Sequence, residues 1–293
     1  MLKIELLIDA RADLGEGPLW DVDEQRLYWI DSLGSKVHRC DASGGDRRHW
    51  DVPDHIGSMA LRTRGGAIVS LRDGFYTLDL DTGACARIAD TNSDEPKIRL
   101  NDGKVDRQGR FLAGSMDYGE SDPLASLWRL DADHSVHKLE DGIICSNGPC
   151  WSADGKTFYF ADSYTRSISA YDYDTATGAI SNKRTFCSFP DAGLRGFPDG
   201  ATVDAEDHVW SVEVYAGRLV RFDPDGRLDR VVQLPVDYAT SLIFGGPDLD
   251  IAYVTSMART VPGRGAPLEQ EAGGLFAVHG LGVTGLPEPR FGG

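Results

Sequence analysis

Residues 197–204 read FPDGATVD. Asp199 sits in a Pro-Asp-Gly turn, a short apolar run follows, and a second polar residue closes the run five positions later. The same arrangement occurs in LGEGPLWD at 14–21, RLNDGKVD at 99–106 and CSNGPCWS at 145–152. Aligned on the closing residue, the series has six members: Asp21, Arg62, Asp106, Ser152, Asp204 and Gly246. Five residues upstream of these stand Glu16, Gly57, Asn101, Asn147, Asp199 and Ser241, at spacings of 41, 44, 46, 52 and 42 residues. A period of this length belongs to a propeller blade or a helical solenoid.

Strand chemistry separates the two. Each anchor leads into a short apolar run, a turn such as DRQGR or SADGK, and a second apolar stretch: LYWID, AIVSL, RFLAGS, FYFADS, VWSVE and IAYVTS. A third set follows, KVHRCD, FYTLDLD, SLWRLDA, ISAYDYD, RLVRFDP and GLFAVHG, and then a less regular fourth. These stretches are β-branched and aromatic and alternate with period 2, with no long helical pattern in competition. The expected fold is all-β: a six-bladed β-propeller with four antiparallel strands per blade, residues 1–293 forming one domain. The last repeat runs out of sequence before its fourth strand, so the N-terminal KIELLIDA is expected to complete that blade and close the ring. The anchors, placed just before the channel-lining strand of each blade, then converge at one channel mouth.

Net charge is −16 with no basic cluster, which argues against a nucleic-acid partner and otherwise means solubility. No apolar stretch approaches a membrane span, and MLKIELLIDARADLGEG has neither a charged leader nor a cleavage pattern, so no membrane partner and a cytoplasmic location are expected. Five cysteines without a CxxC suggest reduced, buried thiols rather than disulfides or a thiolate zinc site. The histidines show no paired spacing, DLDTG and DYDTATG lack the glycine of an EF-hand and fall at hairpin turns, and no G-x-S-x-G or P-loop is present.

Taken singly, NDG, PDG and NGP are turn signals. Together they say more, because a turn has no need of Glu16. Two carboxylates and two amide oxygens in one channel would repel or desolvate poorly without a cation. Such oxygen donors suit calcium, magnesium or manganese, with zinc or ferrous iron admitted by supply, and three protein donors leave positions open for water and substrate. Arg99, two residues before Asn101, becomes a clamp for a hydroxylated or anionic ligand.

The stretches LGEGPLWD, RLNDGKVDRQGRFLAGSM, SNGPCWSADGKTFYFADS and FPDGATVDAEDHVW resemble the senescence marker protein/gluconolactonase-like family, which includes regucalcin and sugar lactonases, over essentially the whole chain. The look is nearest that of bacterial aldonolactonases of sugar oxidation pathways. The resemblance implies a divalent cation held by Glu16, Asn147 and Asp199, with substrate contacts from Arg99 and Asn101. In some animal members of that family acidic residues after GSM contact substrate; this chain departs from them, reading Asp117-Tyr118-Gly119-Glu120 with Gly119 rather than a Glu at the expected position. Asp117, Tyr118 and Glu120 are therefore the substitutes to test.

The implied activity is metal-dependent opening of a small-molecule sugar lactone to the aldonic acid, with Asp199 as general base or as a ligand only. Rival readings are a phosphotriesterase or arylesterase on the same scaffold, and a non-catalytic calcium-binding propeller. Expected rim residues are Arg99, Tyr118, Tyr164, Arg195, Phe197, Tyr215, Met257 and Arg259; their three arginines favour a polar or anionic substrate, such as a sugar acid with another charged group. Loops at 191–197 and 262–274 are expected over the mouth.

Overall fold

The first five repeats each form four strands, the sixth forms three, and the N-terminal strand supplies the last. The computed structural model describes residues 1–91, 95–261 and 263–293. It contains six four-stranded antiparallel sheets arranged as blades. The innermost strands are Gly15–Asp21, Ile56–Leu61, Ile98–Val105, Ser146–Trp151, Phe197–Val203 and Ala239–Gly245, which define blades 1 to 6 in that order. In blades 2, 4 and 6 these inner strands are buried along their whole length, while the outermost strand of blade 4, Ile180–Ser188, is mostly exposed and carries Lys183 and Arg184. Charges on an outer strand blunt an edge that could otherwise pair with another chain. The only helical element among the described residues is a 3₁₀ turn, Ser163–Thr165.

The ring closes as the missing fourth strand requires. Lys3–Ile8 pairs antiparallel with Leu275–His279, with Lys3 opposite His279 and Ile8 opposite Leu275, so the closing sheet joins the N-terminal strand to the last repeat.

Apolar packing lies between blades rather than on the axis. Trp210, Val212 and Leu219 of blade 5 meet Leu242, Phe244 and Phe276 of blade 6, and Ile68 and Phe75 of blade 2 meet Leu100 and Phe111 of blade 3. Blade-to-blade burial of this kind leaves the axis free for polar side chains.

The structure moves the anchors. Glu16, Asn101, Asn147, Asp199 and Ser241 lie inside the inner strands rather than before them, each at a break in register. Blade 2 carries a corresponding break between Ile56 and Ser58. The break skips Gly17-Pro18, Asn101-Asp102, Gly148-Pro149, Asp199-Gly200 and Thr240-Ser241 in the ladders of blades 1, 3, 4, 5 and 6. A bulge bends the strand and re-aims a side chain, and here it turns one residue of each strand toward the axis. Gly57 occupies this position in blade 2 because a Cβ there would stand 2.5 Å from the carbonyl oxygens of both Leu100 and Asn101.

At the other end of the inner strands, the closing aspartates staple turns. Asp106 accepts N–H bonds from Gln108 and Arg110 and the Tyr173 hydroxyl, and Asp204 accepts those of Glu206, His208 and the Trp210 indole. The C-terminal segment 280–293, without repeat character, runs across this end. Phe291 is fully buried and exchanges backbone bonds with Leu61 and Thr63, and Arg290 bonds Asp21. Glu288 and Pro289 line the lower part of the channel with Lys104, which pairs with Glu288 at 3.5 Å. Among the described residues, no helix is long and apolar enough to cross a membrane.

Candidate active site

One cavity gathers the predicted anchors. Glu16, Arg99, Asn101, Asn147 and Asp199 line it, brought in by the bulged strands of blades 1, 3, 4 and 5. Ser241 does not join them. Its side chain fills the space beside Gly200, where a Cβ would collide with it, and it faces the lower channel; Thr240 takes the place in the cavity wall.

Hydrogen bonds fix the amides. The Asn101 side-chain N–H₂ donates to the Ser146 carbonyl at 2.8 Å and to Asn147 Oδ1 at 3.2 Å. Asn147 Nδ2 donates to Ser163 Oγ at 2.8 Å, and that hydroxyl donates to the Pro198 carbonyl at 2.7 Å. With its nitrogen committed, the Asn147 amide has one orientation, its oxygen toward the anchors. Ser163, on the 3₁₀ turn after the second strand of blade 4, lies outside the repeat register, and no sequence signal marks it.

The carboxylates are poorly compensated. Glu16 is only half-buried in area because it faces the cavity, and it accepts a single 3.3 Å bond from the Gly17 N–H. Burial away from bulk water pushes its carboxyl well above the ordinary range, and repulsion from Asp199 and Asp102 adds to this. Burial likewise pushes Asp199 well up, with Asp102 the next cause. Asp102 was not anticipated. It is turned away from the cavity, accepts the Gly103 and Gly148 N–H groups at 2.8 Å each, and helps line the lower channel.

Among the described residues, no three His, Cys, Asp or Glu side chains are grouped to hold a metal. The donor set here is two carboxylates and an amide, which fits a hard divalent cation: hard oxygen atoms, excess negative charge and, among the described residues, no base ion-paired to Glu16 or Asp199, with Arg99 acting on them only at a distance.

The residues after GSM sort themselves. Asp117 is 1% exposed and accepts the N–H groups of Gly119, Ser121 and Asp122, so it pins the turn and is not part of the cavity wall. Tyr118 lies behind Arg99, its ring 5.9 Å from the guanidinium, and its hydroxyl meets His55 Nδ1 at 2.9 Å. Glu120, in the left-handed region at φ 52°, does line the cavity and accepts the Tyr164 hydroxyl.

Of the remaining rim residues, Tyr164, Phe197, Tyr215, Met257 and Arg259 line the cavity. Arg195 does not; its N–H and that of Gly196 bond Glu213 at 2.7 and 2.6 Å, and this staple carries loop 191–197 to Phe197. In the expected 262–274 loop, Pro262 lies outside the described residues; Arg264 stacks on Tyr215 at 4.0 Å and on Phe197 at 5.1 Å. Cys145 also lines the cavity, with burial holding its thiol protonated, and all five cysteines are free.

Residues 14–258 match the family described as the SMP-30/Gluconolactonase/LRE-like region. The chain is 38% identical to regucalcin of Xenopus laevis, an alignment covering 100% of this chain and 99% of that protein. A solved luciferin-regenerating enzyme superposes with a TM-score of 0.94 at 30% identity, with full coverage of both chains. A solved calcium-binding regucalcin from Agrobacterium tumefaciens superposes with a TM-score of 0.88 at 26% identity, covering 98% of this chain and 96% of that one.

Proposed function

The chain belongs to the SMP-30/gluconolactonase/LRE-like family, and from that premise we propose that it is a lactone hydrolase, opening a sugar lactone to its aldonic acid with the help of one divalent cation. Support for a sugar lactonase comes from the family as a whole. What carries the reading to this chain is one observation: Glu16 and Asp199 face the same cavity, held above their ordinary proton affinity by burial, and among the described residues neither is ion-paired to a base.

Glu16, Asn147 and Asp199 would hold the cation, which when bound polarises a carbonyl and favours negative charge on its oxygen. Calcium, magnesium and manganese suit these oxygen donors, and zinc or ferrous iron would bind where supply favours them. Asp199 takes a proton from the attacking water as the oxygen adds to the lactone carbonyl carbon. The ring C–O bond then breaks, and the same proton passes to the departing ring oxygen, giving a hydroxy acid. Arg99 and Asn101 orient the ring and its hydroxyls, Glu120 offers an acceptor, and the Tyr164, Phe197 and Tyr215 rings cover the sugar face and exclude water.

The test is acid release by metal-stripped protein on a panel of 1,4- and 1,5-aldonolactones, with each cation added back. Cation-dependent hydrolysis that Asp199→Asn lacks is expected. Full activity of Asp199→Asn with cation bound would remove the general-base role. A calcium-binding role without turnover is the second reading, favoured by the description of the Agrobacterium protein as calcium-binding; it predicts cation affinity and no hydrolysis on any member of the panel.

A further inference from the structure

Within the lactonase reading, on which this inference rests, the cavity's charges specify the substrate class. Two guanidinium groups enter it, Arg99 from blade 3 and Arg259 from the segment after the second strand of blade 6. Arg99 is only 3% exposed, and its side chain makes one hydrogen bond, to the Leu100 carbonyl at 3.0 Å. Among the described residues, neither arginine has a carboxylate within ion-pair distance. Buried arginines elsewhere in the molecule are paired: Arg221 holds Asp204, Glu206 and Asp229, and Arg129 holds Asp131. A buried charge without a counter-ion is costly unless a ligand supplies one.

The nearby acids do not supply it. Glu16 and Asp199 would be balanced by the divalent cation they hold, Asp102 faces the lower channel beside Lys104, and Glu120 is the one acid of the cavity wall left against two arginines. One positive charge remains, before counting Arg264 on the aromatic rim. Burial disfavours the Arg99 charge, and repulsion from Arg259 adds to it. A neutral sugar lactone leaves this excess in place, whereas a lactone with a carboxylate cancels it. Guanidinium forks match a carboxylate geometrically as well as in sign.

We propose that the substrate is a lactone bearing a second acid group, of the kind formed by an aldaric acid, with its free carboxylate received by Arg99 and Arg259 while the lactone carbonyl lies at the Glu16–Asn147–Asp199 end of the cavity. Arg259 is then a specificity-determining residue.

The experiment compares galactaro-1,4-lactone with galactono-1,4-lactone, which differ at one terminal carbon, on the cation-loaded protein. The wild type is expected to favour the acidic lactone in kcat/KM by about tenfold or more, the factor that about 1.4 kcal/mol of ion pairing provides. Arg259→Met should bring the ratio to within about threefold of unity, mainly through KM, and Arg259→Lys should restore part of it. A wild-type ratio at or below one, or a ratio that survives Arg259→Met, would overturn the proposal. Calorimetric binding of galactarate and galactonate gives a readout independent of turnover. Galactarate should bind more tightly, the difference shrinking with added salt and with Arg259→Met. If neither lactone is hydrolysed, the lactonase reading fails while the binding pair still decides this one: equal affinity for the two acids overturns it.

Discussion

Glu16 shares its register with two amides and an aspartate, and a hydrogen-bonded turn gives no reason for a carboxylate there. In the metal-free protein its charge works against folding, since burial and the neighbouring Asp199 both oppose it. Glu16→Gln should therefore raise the melting temperature of the metal-free protein. The same variant should lose the stabilisation by cation, about 5 °C for the wild type at a hundred times Kd, from about 2.7 kcal/mol of linkage. Thermal melts with and without cation read both effects, and a metal-free Glu16→Gln less stable than wild type would contradict this account of the charge. A second residue is sensitive to pH. His38, stacked on Trp29 at 5.0 Å, is pushed down to about 4 chiefly by burial. The unfolded chain takes up this proton near 6.5 and the folded chain only near 4, so the stability contributed by the neutral ring is present above 6.5 and lost as pH falls between the two values. Denaturant midpoints at pH 7 and pH 5 should fall further for wild type than for His38→Gln. At this scale the anchors were readable because repetition exposes them. Ser163 and Asp102 were not, since Ser163 acts from outside the register and Asp102 looks like the second letter of an ordinary Asn-Asp-Gly turn.

The inner strand is the element that carries the chemistry, and its bulge is the device. Period-2 alternation located the strands, but it could not show that the anchor lies within the ladder, because a bulge adds a residue without changing composition. The glycines beside the anchors make room for it. A Cβ at Gly200 would run into the Ser241 side chain and stand 2.6 Å from its Cα, and at Gly148 it would stand 2.8 Å from the Ala201 Cβ. Gly200→Ala should then cost about 1–3 kcal/mol as overpacking and displace Asp199, so that denaturant midpoint and cation affinity fall together. Loss of neither would show that blades 5 and 6 are free to separate there. The Asp117 turn gives the opposite lesson. Four residues in a row offered two acids, and only the backbone course, with Asp117 bonded to three N–H groups and Glu120 beyond them, puts one at the cavity and the other in the turn.

For the molecule as a whole, the ring is closed by the N-terminal strand pairing with the last repeat. The shortfall of sequence in the last repeat makes the N-terminal closure legible, and the pairing of Leu6 with Phe276 is part of it. Proline at Leu6 fixes φ and stiffens the strand against this pairing. Leu6→Pro should lower the unfolding midpoint of the entire chain in one cooperative transition, as expected if residues 1–293 are one domain; two separate transitions would contradict that. The C-terminal strap had no such signature. Residues 280–293 carry no repeat period, and their place across the channel follows from backbone bonds that Phe291 makes with blade 2 and Gly292 with Gly109. A single cation held by Glu16, Asn147 and Asp199 would join blades 1, 4 and 5. The direct measurement is calorimetric titration of metal-stripped protein with calcium, magnesium and manganese. One cation per chain is predicted, with binding lost in Glu16→Gln and Asp199→Asn and kept in Asp117→Asn. Undiminished binding in the first two variants, or no binding by the wild type, would contradict it.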